Sequence, residues 1–159
     1  MGPTIGLTGH TEGFGKHIMH RLSELGYNVK PFSRANGVNL LESPNKVFNT
    51  PFDILINNTE VGNAQVILAT TCAKKGIPCI NIGSKITEAS VNNNIDIAKK
   101  DNKIELQHIS KKYKQSYLTW GFTKENPILN DNPQLLETIT IKDAVKEVIN
   151  ELESLFNLK

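Results

Sequence analysis

Residues 4–15, "TIGLTGHTEGFG", set Gly9, Gly13 and Gly15 directly after a short apolar run and directly before an amphipathic one. Glycine accepts positive φ and lets another backbone or a ligand come where a Cβ would stand. With this spacing Gly9 permits a tight turn out of a strand, Gly13 leaves room for a phosphate against the backbone, and Gly15 allows the following helix to pack close. The unpaired N–H groups of that helix's first turn, with its dipole, favour an anion there. A chain that opens this way is constrained to an α/β fold with a strand, a turn and a helix at its ligand-binding edge.

The rest of the sequence continues the alternation. "TIGLT", "YNVKPF", "FDILIN", "IPCINIG" and "SYLTWGF" read as strands, and "FGKHIMHRLSELG", "NAQVILATTCAKKG" and "TIKDAVKEVINELESLF" as helices. This predicts a Rossmann-like, doubly wound parallel sheet of about six strands with helices on both faces, in one domain over residues 1–159. "DILIN" and "PCINI" are nearly continuous apolar runs, the mark of central strands, and are expected beside the first strand. Phe14, Ile18, Leu22 and Leu25 share a helical face that Gly26 ends, and Gly76 ends the helix from Asn63 to Lys75. "NNNIDIAKKDNKIELQHISKKYKQ" reads as one long helix rather than a helix followed by a strand at "KIELQHI". Thr140 stands as N-cap of the final helix, whose apolar face is Ala144, Val145, Val148, Ile149 and Leu152.

Charge and composition exclude several classes of partner. The chain carries 18 Lys+Arg against 16 Asp+Glu, so it has no broad basic field for nucleic acid or an anionic membrane. No apolar run approaches the roughly 18 residues of a membrane span. A soluble, cytoplasmic protein is expected. Cys72 and Cys79 suit neither a disulfide framework nor a zinc site and read as small core residues. His17 and His20, at i and i+3, lack a third ligand nearby, so no metal is expected.

The pattern "TGHTEGFG" matches the TGxxxGxG turn of the short-chain dehydrogenase/reductase family residue for residue from Thr8 to Gly15. "DILINNT" resembles that family's strand ending in Asn-Asn-Ala-Gly, "NIGS" its strand ending near the catalytic serine, and "TWGFT" its Pro-Gly turn beside the nicotinamide. In order along the chain, these matches make it resemble a shortened, divergent member. Asn58-Thr59-Glu60 stands where the family has Asn-Ala-Gly, and Trp120 where it has proline. The short interval between "LINN" and "INIGS" cuts back the helix that supplies the family's active-site asparagine and much of its dimer surface.

The resemblance implies a dinucleotide held by Thr8, Gly9, Thr11, Glu12, Gly13, Phe14, Gly15, Ser33, Arg34, Asn57, Asn58 and Gly121. It implies a catalytic serine at Ser84 and a lysine at Lys103, with Lys99 in the position of the family's tyrosine. No Tyr-x-x-x-Lys occurs in the sequence. Two ammonium groups one turn apart lower each other's pKa, which makes Lys99 or Lys103 a candidate proton donor; Tyr113 is another. His10 is either a phosphate contact or a solvated loop residue. Arg34 follows the second strand where an acidic residue would bind the NAD ribose, so NADP is expected ahead of NAD. The expected function is NADP(H)-dependent oxidoreduction of a small carbonyl or alcohol substrate, with a homo-oligomer left open. The alternatives are a non-catalytic nucleotide-binding or scaffold protein that lost the tyrosine, and a protein whose turn binds another phosphate-bearing ligand.

Overall fold

The apolar runs of the sequence become the middle of a sheet. In a computed structural model describing residues 2–11, 13–88, 94–120, 134 and 139–157, except the side chains of residues 86, 95 and 96, the elements alternate as expected. They are β1 (Thr4–Thr8), α1 (Gly13–Glu24), β2 (Asn28–Phe32), β3 (Ile54–Asn57), α2 (Ala64–Lys75), β4 (Cys79–Ile82), α3 (Asn94–Lys112), β5 (Ser116–Leu118) and α4 (Ile141–Asn157). Five strands, rather than about six, pair among the described residues. All are parallel, in the order β2-β1-β3-β4-β5. The strand β3 lies beside β1 as expected. In contrast, β4 lies beyond β3 and does not touch β1, because the crossover through α2 carries the chain one strand further outward.

Alternation along the strands divides the core in two. Ile5, Leu7, Ile54, Ile56, Ile80 and Ile82 face Phe14, Ile18 and Leu22 of α1 and the predicted apolar face of α4. Leu55 and Cys79 face the other way, towards Leu68 and Cys72 of α2, while Val66, Ala69 and Leu106 form a smaller cluster between α2 and α3. Leu25 departs from expectation: α1 ends at Glu24, so Leu25 leaves the buried face and is exposed. Between β2 and β3 the chain makes only two short 3-10 turns, Arg34–Asn36 and Pro44–Asn49. Val38, Leu40 and Val47 from this segment seal the edge of the second core.

The helix ends follow their residues. Gly26 and Gly76 take left-handed conformations (φ +81° and +70°), and the Thr140 Oγ1 accepts a hydrogen bond from the Asp143 N–H at 3.1 Å. The segment containing "KIELQHI" is helical throughout. Both cysteines are buried free thiols. Among the described residues no helix is long and apolar enough to cross a membrane. The outer strand β2 contains Pro31, opposite Leu7 of β1.

A polar thread runs through the second core. Asn81, fully buried in β4, donates from Nδ2 to Ser110 Oγ at 2.9 Å and Gln115 Oε1 at 2.7 Å. Its Oδ1 accepts from Asn57 Nδ2 at 2.9 Å and from the Cys79 thiol at 3.2 Å. One amide thus ties β3, β4 and α3 together. Asn81→Ala would leave several buried partners unpaired and is expected to cost about 2–4 kcal/mol. Urea denaturation followed by Trp120 fluorescence checks this; a loss under about 1 kcal/mol would show that the network relaxes around the gap.

Candidate functional site

The strand order reverses between β1 and β3, the place where open parallel sheets bind ligands beyond their carboxyl ends. Thr8, the last residue of β1, is fully buried. Its Oγ1 accepts hydrogen bonds from the backbone N–H groups of Asn58 (3.0 Å) and Thr59 (3.1 Å), locking the ends of β1 and β3 together. The turn then starts at Gly9, with φ +68°, where a Cβ would meet the Asn58 carbonyl oxygen at 2.6 Å. A Cβ on Gly15 would run into the Gly9 carbonyl. Asn58 closes the arrangement by donating from Nδ2 to that carbonyl at 3.2 Å. Gly13 opens α1 with φ +52°.

Around this turn the remaining expected residues take different places. Thr11 is exposed. Phe14 turns into the core, edge-on to Trp120 with ring centres 5.0 Å apart. The His10 ring is half-buried; its Nδ1 has no hydrogen-bond partner among the described residues, and burial pushes its pKa down. Ser33 and Arg34 follow β2 directly: the Ser33 hydroxyl donates to Asn36 Oδ1 at 2.9 Å, and Arg34, exposed, begins the first 3-10 turn. Asn57 is fully buried and does not face the turn; its Nδ2 donates to the Gln65 carbonyl at 2.8 Å and to Asn81. Glu12 and Gly121 lie outside the described residues.

The other half of the edge is organised by Gln65, which the sequence reading did not single out. Its Nε2 donates to the carbonyls of Asn57 and Ile82, both at 2.8 Å, bridging the ends of β3 and β4. Its Oε1 accepts from Lys103 Nζ at 2.8 Å. Lys103, only 6% exposed, also donates to the Ile82 carbonyl at 3.1 Å and pairs with Glu60 Oε1 at 3.4 Å. Burial pushes the Lys103 pKa down against the pull of the Glu60 carboxylate.

Lys103 and Ser84, which is buried just past β4, thus reach the same edge. Lys99 and Tyr113 do not join them. Lys99 is exposed one turn earlier on α3, and burial, not a second ammonium, is what lowers Lys103. Tyr113 follows the end of α3, three residues before β5 begins, and so lies towards the amino ends of the strands; the Lys112 ammonium sits 5.2 Å from its ring centre. The one hint of Asn81 in the sequence was a polar residue inside an apolar strand run. For Gln65, within an ordinary helical pattern, there was none.

No protein-family model and no curated protein matches the sequence. Solved structures do match. A small-chain dehydrogenase in complex with NADPH superposes with a TM-score of 0.61 at 16% identity, over 83% of this chain and 78% of that one. Serine dehydrogenase from Escherichia coli gives 0.60 at 13% identity, over 91% and 88%. The fold is Rossmann-like. Larger enzymes share it too: dTDP-glucose 4,6-dehydratase from Bacillus anthracis, in complex with NAD, matches with a TM-score of 0.56 at 11% identity, and this chain covers 54% of its length.

Within that Rossmann fold, the turn passes a physical test for a dinucleotide. Close packing of Gly15 on Gly9 brings the N-terminus of α1 to the strand end, as a pyrophosphate on the helix N–H groups requires.

The buried lysine has a consequence for stability. Its folded pKa lies below the ordinary 10.5, so between the two values the folded protein binds fewer protons than the unfolded chain. Stability therefore rises with pH through that window. Lys103→Met lacks this component. The stability of the wild type relative to the variant should increase as the pH rises towards the ordinary lysine value of 10.5, measured by urea midpoints. A pH-independent difference would mean that the ammonium is no harder to bury than to expose.

Proposed function

We propose that the chain binds NADP(H) at the Gly9–Gly15 turn and acts as a short-chain dehydrogenase/reductase-like oxidoreductase on a small carbonyl or alcohol compound. The observation that carries this reading is the interlock of Thr8, Gly9, Gly15 and Asn58 at the strand-order reversal. In this reading the interlock cradles a phosphate at the sheet's carboxyl edge, and Arg34 at the end of β2 stands on the side where the adenosine ribose of a dinucleotide would lie. The guanidinium suits a 2′-phosphate, giving NADP precedence over NAD. The bound nicotinamide would supply hydride chemistry. In this reading Ser84 orients a carbonyl oxygen, and Lys103 holds the ends of β3 and β4 through Gln65 and the Ile82 carbonyl. A small-molecule substrate and a cytoplasmic location belong to the same proposal, as does the absence of nucleic-acid, membrane and metal partners; homo-oligomerisation stays open.

A second reading, a nucleotide-binding protein without turnover, draws on two observations. The three donors of Lys103 have three acceptors in Gln65, Ile82 and Glu60, and the position expected for the tyrosine holds the exposed Lys99.

Fluorescence titration with NADPH and NADH tests the proposal. Binding of NADPH should exceed that of NADH, and Arg34→Ala should weaken NADPH by about 1.5–3 kcal/mol, the worth of hydrogen bonds to a charged group, while barely changing NADH. Equal losses for both would remove Arg34 from the 2′-phosphate. Failure to bind either would overturn the proposal.

A further inference from the structure

The sequence contains three tyrosines, Tyr27, Tyr113 and Tyr117, and only one reaches the carboxyl edge of the sheet. Tyr27 precedes β2, and Tyr113 lies towards the amino ends of the strands. Tyr117 is in β5, opposite Asn81 of β4. Leu118 and Trp120 pack into the first core, so Tyr117 and Thr119 alternate to the opposite face, where Tyr117 packs on the cluster between α2 and α3. Its ring leans along the strands until the phenol covers Gly83, the residue after β4. A Cβ on Gly83 would collide with Cζ and Oη. Glycine is therefore required there by the phenol, a reason separate from any turn.

At this place the Tyr117 Oη proton is buried without an acceptor among the described residues, and Thr119 Oγ1 two residues on is buried without a hydrogen-bond partner there. Burying a hydroxyl whose proton has no acceptor is costly, and two on one face of one strand call for an explanation. Both lie at the edge where Ser84 follows Gly83 and where Lys103 donates to the Ile82 carbonyl. Lys103 spends its donors on Gln65, Ile82 and Glu60, and is no free acid. Burial pushes the Tyr117 phenol up, opposed in part by the Ser84 backbone N–H, so it carries its proton at neutral pH.

We propose that Tyr117 is the proton donor of this site: the catalytic acid stands on strand β5 and not on helix α3. The inference rests on the oxidoreductase reading above. In the reductive direction the carbonyl carbon gains a hydride with its electron pair from the reduced dinucleotide. The carbonyl π pair moves to oxygen, the Tyr117 O–H bond breaks, and its proton goes to that oxygen. The phenolate then takes a proton from water. Thr119 Oγ1 is a second donor for the same oxygen. The charged groups that the structure brings to this edge are the Lys103 ammonium and the Glu60 carboxylate paired with it.

The test reads the phenol itself and needs no substrate. Protein labelled with [13Cζ]tyrosine gives three signals, assigned with Tyr27→Phe and Tyr113→Phe, which leave Tyr117 in place. Each is titrated with saturating NADP+ and, separately, with saturating NADPH. The oxidised ring is cationic, so a phenol beside it should ionise about one pH unit lower with NADP+ than with NADPH, while Tyr27 and Tyr113 stay unmoved. Equal Tyr117 midpoints with both forms bound, or a shift confined to another tyrosine, would overturn the assignment and leave the oxidoreductase reading standing. If neither NADP(H) nor NAD(H) binds, both fall together.

Discussion

The side chain of Gln65 is the interaction on which the carboxyl edge depends. A parallel sheet ends in carbonyl groups with no further strand residue to satisfy them, and here two neighbouring ends, Asn57 and Ile82, share one amide. The remaining oxygen of that amide holds the Lys103 ammonium. A buried cation is tolerable only when its donors are used, and Lys103 meets that condition through Gln65, Ile82 and the half-exposed Glu60. The same residues that complete the sheet therefore fix the floor of the candidate site. Thr8 does the corresponding task one strand away by accepting two backbone N–H groups.

Most of the fold was legible because its signals are local. Period-2 alternation, two runs of apolar residues and glycines after helices state where β3, β4, α1 and α2 lie, and the Thr8–Gly15 pattern states where the strand–turn–helix unit lies. The strand order was harder. Placing β4 next to β1 from its hydrophobicity alone overlooked that a strand buried on both faces needs two neighbours, and β3 and β5 supply them. Leu25 was misplaced for a local reason: a helix ending at Glu24 turns the next side chain away from its face.

The site was legible in one half and not in the other. The glycine turn is a backbone feature, and glycine records backbone demands in the sequence. The lysine site is made of side chains that meet across elements: Glu60 before α2, Gln65 within it and Lys103 on α3. No spacing rule connects them. Asn57 shows the hazard of carrying a role over by position, since its amide is committed to Gln65 and Asn81 inside the core. Its neighbour Asn58 braces the turn.

Pro31 bears on how this molecule meets its neighbours. An outer strand of a parallel sheet offers a free row of donors and acceptors on which another extended chain can grow, and proline has no N–H to offer at its place in that row. Since β2 is only five residues long, one missing donor interrupts a large part of the ladder. Sheet extension across β2 is thereby discouraged.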